Sequence, residues 1–168
     1  LWSRGLGDVY KRQVQKRTDA LLNCGGTHRP EWFHRKLGDI LYEGCGVARD
    51  EAGLLDALTK VRELREEFWR DVKVVGTGNR LNQELEKAGR VADFIELGEV
   101  MILDALDRRE SAGAHFRNEY ATEAGEAKRN DGDWCAVSAW ETRPDGTKVR
   151  HSEPLSFSLI DLQVRDYR

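Results

Sequence analysis

The chain has 168 residues with a net charge of −3, 34% charged residues and a mean hydropathy of −0.66. This length suits one domain, or a small domain with a long tail, and is too short for a multidomain enzyme. The chain lacks the excess of Lys and Arg that binding to a phosphate backbone requires, so we expect no nucleic-acid partner. No unbroken run of about 18 apolar residues is present, which argues against an integral membrane protein.

The first thirteen residues are expected to take no part in the fold. The only methionine is Met101, so a chain that opens with Leu1 is expected to begin inside a longer reading frame. Residues 3–13 read SRGLGDVYKRQ, which resembles the translation of a transposase adaptor used to prepare sequencing libraries. We interpret residues 1–13 as a non-native scar, in preference to a natural basic arm, because glycines interrupt them and no apolar period is present.

Apolar residues recur every three or four positions and predict three helices. The first covers residues 30–45. Asp50 can cap a second helix that continues to about residue 72, because a carboxylate accepts hydrogen bonds from the free amides of a first helical turn. A turn at residues 76–79 separates it from a third helix over residues 81–106. The sequence therefore predicts a three-helix antiparallel bundle.

The third helix carries more apolar surface than two neighbours can cover. At ~1.5 Å per residue its roughly 25 residues span about 38 Å. Residues 94–106 are apolar on more than one face, and the apolar stripe is broken only at Glu99. If this face were in water, it would form a large exposed apolar patch, so we predict that part of the helix packs against a neighbour outside the bundle.

Beyond Arg109 the pattern changes to that of strands. Residues 134–140 predict a strand with Trp134 and Trp140 on one face, residues 143–146 a turn, and residues 147–151 a returning strand. Serines alternate with Leu155, Phe157 and Leu159 in the tail, a pattern typical of a half-buried extended segment.

The predicted fold class is mainly α: a three-helix antiparallel bundle followed by an irregular tail with a β-hairpin. We place the bundle domain at residues 14–110 and the tail at residues 111–168, with residues 118–133 as the loop before the hairpin. Cys24, Cys45 and Cys135 are odd in number and widely spaced, which favours a reducing compartment over a disulfide scaffold.

Two candidate ligand sites are weak. Cys24, His28, His34 and Cys45 lie within 22 residues, but they form no C-x2-C or H-x3-H pair. On one helix His34 and Cys45 would be about 16 Å apart. The glycines at residues 76–78 resemble a phosphate loop, yet Leu81 stands where a third glycine is needed, so we predict a helix–helix turn. We assign no catalytic, cofactor-binding or metal-binding residue.

Residues 107–117 form the densest polar cluster, and two interpretations remain open. A proton-transfer site would pair His115 with a carboxylate, whereas a structural clamp would use Arg109 and Arg117 to tie the helix end to a neighbouring domain. The clamp is favoured. The candidates for an interdomain or subunit contact are Arg109, Glu110, Ser111, His115 and Arg117.

These residues also carry a resemblance to a known family. Residues 82–99, NQELEKAGRVADFIELGE, and residues 104–117, DALDRRESAGAHFR, resemble the C-terminal part of the succinate dehydrogenase/fumarate reductase flavoprotein subunit. The resemblance covers nearly everything from residue 14 to residue 168. Ala112 stands where many members have arginine, so no role is carried over from that arginine.

The resemblance implies a helical domain that packs against the flavin domain of the same parent chain, and a tail near the iron-sulfur subunit. A membrane cytochrome b subunit would be an indirect partner, which places the parent at the inner face of a bacterial cytoplasmic membrane. The parent would be an FAD-dependent enzyme that interconverts succinate and fumarate and exchanges electrons with quinone. The FAD and dicarboxylate sites of the family lie upstream, so the chain itself is expected to be inactive.

Two alternatives remain open at this stage. One is a self-standing helical protein-interaction module with a hairpin tail. The other is the corresponding part of an aspartate-oxidase-like flavoprotein, since that family shares the Glu-Ser-x-Gly-x-His pattern at residues 110–115.

Overall fold

The computed structural model describes residues 2–163, with side chains from residue 7 onward. The helices are α1 (Trp2–Asn23), α2 (Pro30–Gly44), α3 (Glu51–Asp71), α4 (Gln83–Asp107) and the single-turn α5 (Asp131–Trp134). The strands are β1 (Ala48–Arg49), β2 (Phe116–Arg117), β3 (Ala136–Thr142) and β4 (Lys148–Pro154), and a 3₁₀ turn covers Asn118–Tyr120. The chain divides into two compact units, Leu1–Asp107 and Arg108–Arg168. The predicted mainly-α fold with a hairpin tail is confirmed.

Helices α2, α3 and α4 form the bundle of the first unit. Lys36 near the start of α2 pairs with Glu67 near the end of α3 at 2.7 Å, while Gly44 at the end of α2 lies against Ala57, so these helices are antiparallel. Helix α4 returns parallel to α2, because His34 lies beside Phe94 and the later Leu41 lies beside the later Gly98. Consecutive helices therefore run in opposite directions, as predicted.

The core of this unit comes from the apolar stripes of the three helices. Phe33 and Phe68 meet edge to face with ring centroids 5.2 Å apart, which is a favoured aromatic geometry. Most residues that the helical period places inward are buried: Phe33, Leu37, Leu54, Leu58, Val61, Leu64, Phe68, Ala88, Ala92, Ile95 and Ile102. Leu81 is an exception, since it precedes α4 and is exposed.

The residues that flank these helices explain where the helices begin. The Asp50 carboxylate accepts a hydrogen bond from the Gly53 amide at 2.8 Å and caps α3, as predicted. Asn82 performs the same role for α4, because its side-chain oxygen accepts from the Leu85 amide. The Asn82 amide group also donates to the carbonyl of Val75, and Gly76 has a φ of +102°. The glycine-rich segment is therefore a helix–helix turn.

The expectation that residues 1–13 lie outside the fold is wrong for secondary structure, since α1 runs unbroken from Trp2 to Asn23. Helix α1 contacts the rest of the first unit near its C-terminal end, where Leu21 is buried in the core and Arg17 pairs with Asp93 of α4. The described side chains before Arg17 are exposed. Once a docked segment supplies the nucleus, each further residue of a helix adds a hydrogen bond, so a helix can extend without tertiary contacts.

The second unit contains the β3–β4 hairpin. The strands pair antiparallel from Ala136 opposite Pro154 to Thr142 opposite Lys148, and Gly146 closes the turn with a φ of +86°. The predicted hairpin is confirmed, but Trp134 lies in α5 and not on the strand. The guanidinium of Arg150, which lies opposite Trp140 in the register, is 4.8 Å from the centre of the Trp134 ring.

Glu99 interrupts the apolar stripe of α4, yet its side chain is only 4% exposed. Arg62 and Arg65 of α3 contact its two carboxylate oxygens at 2.7 and 2.5 Å. Burial alone would raise the pKa of Glu99, but the hydrogen bonds and charges of the two arginines outweigh burial and hold the pKa below its ordinary value. The buried carboxylate of Glu99 is thus paired at both of its oxygens.

No helix in the described part of the chain is both long enough and apolar enough to cross a membrane.

We predict that Glu99→Gln destabilises the chain at pH 7 by about 1–3 kcal/mol, because it weakens two charge-assisted hydrogen bonds in a buried position. A carboxylate with a lowered folded pKa contributes stability above its unfolded pKa of ~4.3 and loses it as the pH falls through the folded value. The difference from the wild type should therefore shrink below about pH 4. Urea unfolding of both proteins, followed by circular dichroism at several pH values, measures this difference in the free energy of unfolding.

The control is Glu96→Gln, since Glu96 lies on the same helix, is half exposed and contacts Arg65 at 3.5 Å. This variant should cost less than about 1 kcal/mol. Equal losses in the two variants, or a Glu99→Gln difference that does not change with pH, would contradict the role given to Glu99.

Candidate functional site

The polar cluster at residues 107–117 is organised around the buried carboxylate of Glu110. The guanidinium of Arg108 donates two hydrogen bonds to one Glu110 oxygen, at 2.8 and 2.6 Å. The backbone amide of Asn130 donates to the other oxygen at 2.8 Å. Glu110 therefore connects the start of the second unit to the residues just before α5.

Ser111 forms a second connection within the same unit. Its hydroxyl accepts from the Arg117 amide at 2.9 Å and donates to the Arg117 carbonyl at 3.1 Å. Its own amide donates to the carbonyl of Lys128. Ser111 is fully buried, so these bonds satisfy backbone groups that would otherwise be shielded from water.

The loop between these residues is a tight reversal. The amides and carbonyls of Ala112 and His115 exchange hydrogen bonds, and Gly113 has a φ of +60°, which favours glycine. The His115 ring nitrogen Nε2 donates to the Arg108 carbonyl at 3.1 Å, which fixes the orientation of the ring. The cluster is therefore a hydrogen-bonded clamp within the second unit.

The side chain of Arg117 is only 2% exposed. Its Nε donates to Glu119 at 3.0 Å, and its guanidinium lies 5.4 Å from the centre of the Tyr120 ring. An arginine that is paired and stacked in this way stabilises the local fold. Both of these contacts come from residues within three positions of Arg117.

The structure brings four of the five candidates together, namely Glu110, Ser111, His115 and Arg117. Arg109 differs, because it is exposed and forms no ion pair among the residues that the structure describes. Sequence reasoning missed Arg108, which makes the ion pair expected of its neighbour. Two adjacent arginines at a helix end look alike in sequence, and only the direction in which the chain leaves α4 distinguishes them.

The four residues considered as metal ligands have separate neighbours. Cys24 donates to the Trp69 carbonyl, Cys45 is buried, and His34 lies against Phe94. Burial raises the pKa of the Cys45 thiol, which keeps it protonated. Within residues 2–163 no group of three His, Cys, Asp or Glu side chains is arranged to hold a metal ion.

His28 instead joins the segment before α2 to the end of α3. Its Nδ1 lies 2.5 Å from Asp71, and the Thr27 amide and hydroxyl also donate to that carboxylate. The hydrogen bond from His28, followed by those from Thr27, lowers the pKa of Asp71 to about 2. The His28 ring stacks on Trp32 with centroids 4.1 Å apart. These contacts hold the segment before α2 against the C-terminal end of α3.

An apolar groove lies between α2 and α4 in the first unit. Its volume is about 250 Å³, and we call it the α2/α4 groove. Phe94, Leu97 and Met101 of α4 project along it and are 39%, 55% and 47% exposed. The residues that form it are His34, Leu37, Gly38, Leu41, Phe94, Leu97, Gly98 and Met101. The apolar excess predicted for the third helix is therefore found on this face.

Comparisons with known proteins agree on one family. The family described as "Fumarate reductase flavoprotein C-term" matches residues 34–167. The succinate dehydrogenase flavoprotein subunit of Bacillus subtilis is 26% identical over 166 residues, which cover 98% of this chain and 27% of that protein. The chain thus spans about a quarter of the length of this relative.

The fold is also found in solved structures. A quinol fumarate reductase from E. coli superposes with a TM-score of 0.78 at 24% identity, over 92% of this chain and 26% of that chain. An adenosine-5-phosphosulfate reductase superposes with a TM-score of 0.73 at 16% identity, over 94% of this chain and 26% of that one. These two superpositions show that the chain shares its fold with part of each protein.

We predict that Ser111→Ala destabilises the second unit by about 1–3 kcal/mol, because it leaves the amide and the carbonyl of Arg117 buried without their partner. Ser138→Ala, a change of the same size on the half-buried face of β3, is the control and should cost far less. Hydrogen exchange of the amides at residues 111–130 measures the loss of protection. Similar exchange in the two variants would show that Ser111 does not hold the clamp.

Proposed function

The chain belongs to the family of C-terminal domains of the fumarate reductase flavoprotein, and on this premise we propose that it is the C-terminal domain of the flavoprotein subunit of a succinate dehydrogenase or fumarate reductase. The whole subunit would be an FAD-dependent oxidoreductase that interconverts succinate and fumarate. The match over residues 34–167 supports this proposal, as does the coverage of about a quarter of the relatives.

The residues of this chain do not fit an FAD site. The glycines at residues 76–78 belong to a turn that Asn82 closes with its own hydrogen bonds. The α2/α4 groove holds about 250 Å³, below the usual range for ligand pockets, and His34 is the only lining residue with a polar side chain. FAD and the dicarboxylate would therefore be held by other parts of the subunit, and we derive no catalytic step from this domain.

The contribution of this domain would be to dock against the remainder of the subunit. The observation that carries this role is the α2/α4 groove, where three large side chains of α4 lie exposed in a row. Contiguous apolar surface of this kind is typical of protein contacts. Arg109, which is exposed near the start of the second unit, remains a candidate for an interdomain or subunit contact of its own. The internal hydrogen bonds of Glu110 and Ser111 favour a supporting role for these two residues.

The partners follow from the same proposal. The flavin domain of the parent chain would cover the α2/α4 groove, and the iron-sulfur subunit would bind near the tail. A membrane subunit would be an indirect partner, which places the assembly at the inner face of the bacterial cytoplasmic membrane. The named relatives are flavoprotein subunits of succinate dehydrogenase and fumarate reductase, which supports these partners.

We predict that the purified chain takes up no flavin and shows no succinate-dependent dye reduction, because the residues that the structure describes do not fit those sites. Absorbance at the flavin bands and a dye assay with succinate measure this. Either flavin uptake or dye reduction by this chain alone would contradict the proposal.

A second experiment tests the docking surface. Co-expressed with the preceding part of its own subunit, the wild-type chain should co-purify with it, and Leu97→Asp should reduce the yield at least about tenfold, because a charge would be buried in an apolar contact. Leu81→Asp is the matched control, since Leu81 is 92% exposed and outside the groove. A self-standing module predicts no co-purification, and an equal loss in both variants would exclude this face as the contact.

A further inference from the structure

The segment that joins α1 to α2 is bonded to the end of α3. Three backbone hydrogen bonds of 2.8–3.2 Å connect residues 26–28 with residues 71–73. His28 and Val72 face each other in this bridge, and the two segments run parallel. We call residues 26–28 and 71–73 together the tie. Because α1 ends at Asn23, the tie fixes the path of the chain directly after α1.

One carboxylate completes the tie. Asp71 accepts from the amide and the hydroxyl of Thr27, each at 2.8 Å, and from Nδ1 of His28. Asp71 is also the last residue of α3, where the partial negative charge of a helix end makes a carboxylate unfavourable for the helix itself. Asp71 therefore contributes to stability through the tie and not through α3.

Helix α1 has few other attachments to the bundle. Between residues 7 and 23 Leu21 is the only buried side chain, whereas α3 buries six of its residues. Arg17 pairs with Asp93 of α4, but the two side chains are 47% and 64% exposed, and ion pairs of this kind contribute little to stability. A segment with so few buried apolar contacts opens at a lower free energy than the core it rests on.

We propose that the tie controls whether α1 is docked on the bundle. While the tie is closed, α1 belongs to the first unit, and when the tie opens, α1 separates as a unit of its own and α2, α3 and α4 stay folded. Opening uncovers Leu21 and the part of the core that Leu21 fills, so the open state presents apolar surface that the closed state hides. This inference stands independently of the proposed function.

Two substitutions open the tie by different means. Asp71→Asn replaces a charged acceptor of three hydrogen bonds with an amide group, which has one accepting oxygen and no charge. Gly26→Ala adds a Cβ that would collide with the backbone carbonyl of Asp71 and so forces the two segments apart. Neither residue belongs to the buried core, so both variants should leave the bundle folded.

Hydrogen exchange of the full 168-residue chain, followed by mass spectrometry, tests the proposal. In the wild type, the amides of residues 18–23 should exchange at least about tenfold faster than those of residues 54–68 of α3. In each variant, residues 18–23 should exchange at nearly the rate of an unstructured peptide. Residues 54–68 should remain at least about a hundredfold slower than that rate, because the bundle stays folded.

Two cysteines give a second readout in the same variants. Cys24 lies in the segment that opening releases, where its thiol donates to the Trp69 carbonyl, whereas Cys45 is buried in the core. Iodoacetamide should label Cys24 at least about threefold faster in Asp71→Asn than in the wild type, while Cys45 stays unlabelled. Cleavage after Lys and Arg places the two thiols on different peptides, so one sample reports both.

Matched controls separate the tie from general effects of charge and size. Asp56→Asn removes a carboxylate that lies on the same helix and is 62% exposed, and Gly38→Ala adds a Cβ where it meets nothing within 4 Å. Both should exchange like the wild type. Loss of protection in residues 18–23 and 54–68 together would show that α1 and the bundle open as one unit and would overturn the proposal. Protection of residues 18–23 that is unchanged in Asp71→Asn and Gly26→Ala would overturn it as well.

Discussion

The first unit depends on how α4 divides its apolar surface. Helix α4 runs for 25 residues, and its inward face packs against α2 and α3 through Val91, Ile95 and Ile102. In a small bundle, the apolar stripe of an amphipathic helix is usually limited to this inward face. In α4 the apolar surface continues around the helix to Phe94, Leu97 and Met101, which remain exposed. Gly38 of α2 and Gly98 of α4 line the groove beside them. The core and the groove thus come from the same helix.

Each of the two buried carboxylates in the described part of this protein is surrounded by several donors. Glu99 lies between two arginines of α3, and Glu110 receives three hydrogen bonds from Arg108 and the Asn130 amide. A buried carboxylate without partners would cost several kcal/mol, so each acidic residue requires its donors to be fixed in position. Glu99 fixes α4 against α3, whereas Glu110 fixes the loop before α5. Neither residue lines the α2/α4 groove, which is consistent with structural roles.

Local patterns in the sequence predicted the elements well, because period and capping are local properties. The bounds of α2 and α3, the Asp50 cap and the turn of the hairpin follow from residues within a few positions of each other. Trp134 was placed on the strand because an alternating pattern does not indicate where a helical turn ends. The role of Arg108 was missed because burial at a helix end is decided by the path of the following chain. The N-terminal helix was not predicted because its first residues show no apolar period. A helix that is docked through Leu21 can extend to such residues, since each one adds a backbone hydrogen bond.

The solved structures that share the fold of this chain include an adenosine-5-phosphosulfate reductase. That structure and the quinol fumarate reductase share the same fold with this chain at 16% and 24% identity, although their names indicate different substrates. The shared fold therefore does not identify a substrate, since function resides in sites and not in folds. In the first unit of this chain, the described residues form a bundle with an exposed apolar groove. The clamp of Glu110 and Ser111 is internal to the second unit, where its hydrogen bonds join residues 108–117 to residues 128–130 and so support the local fold.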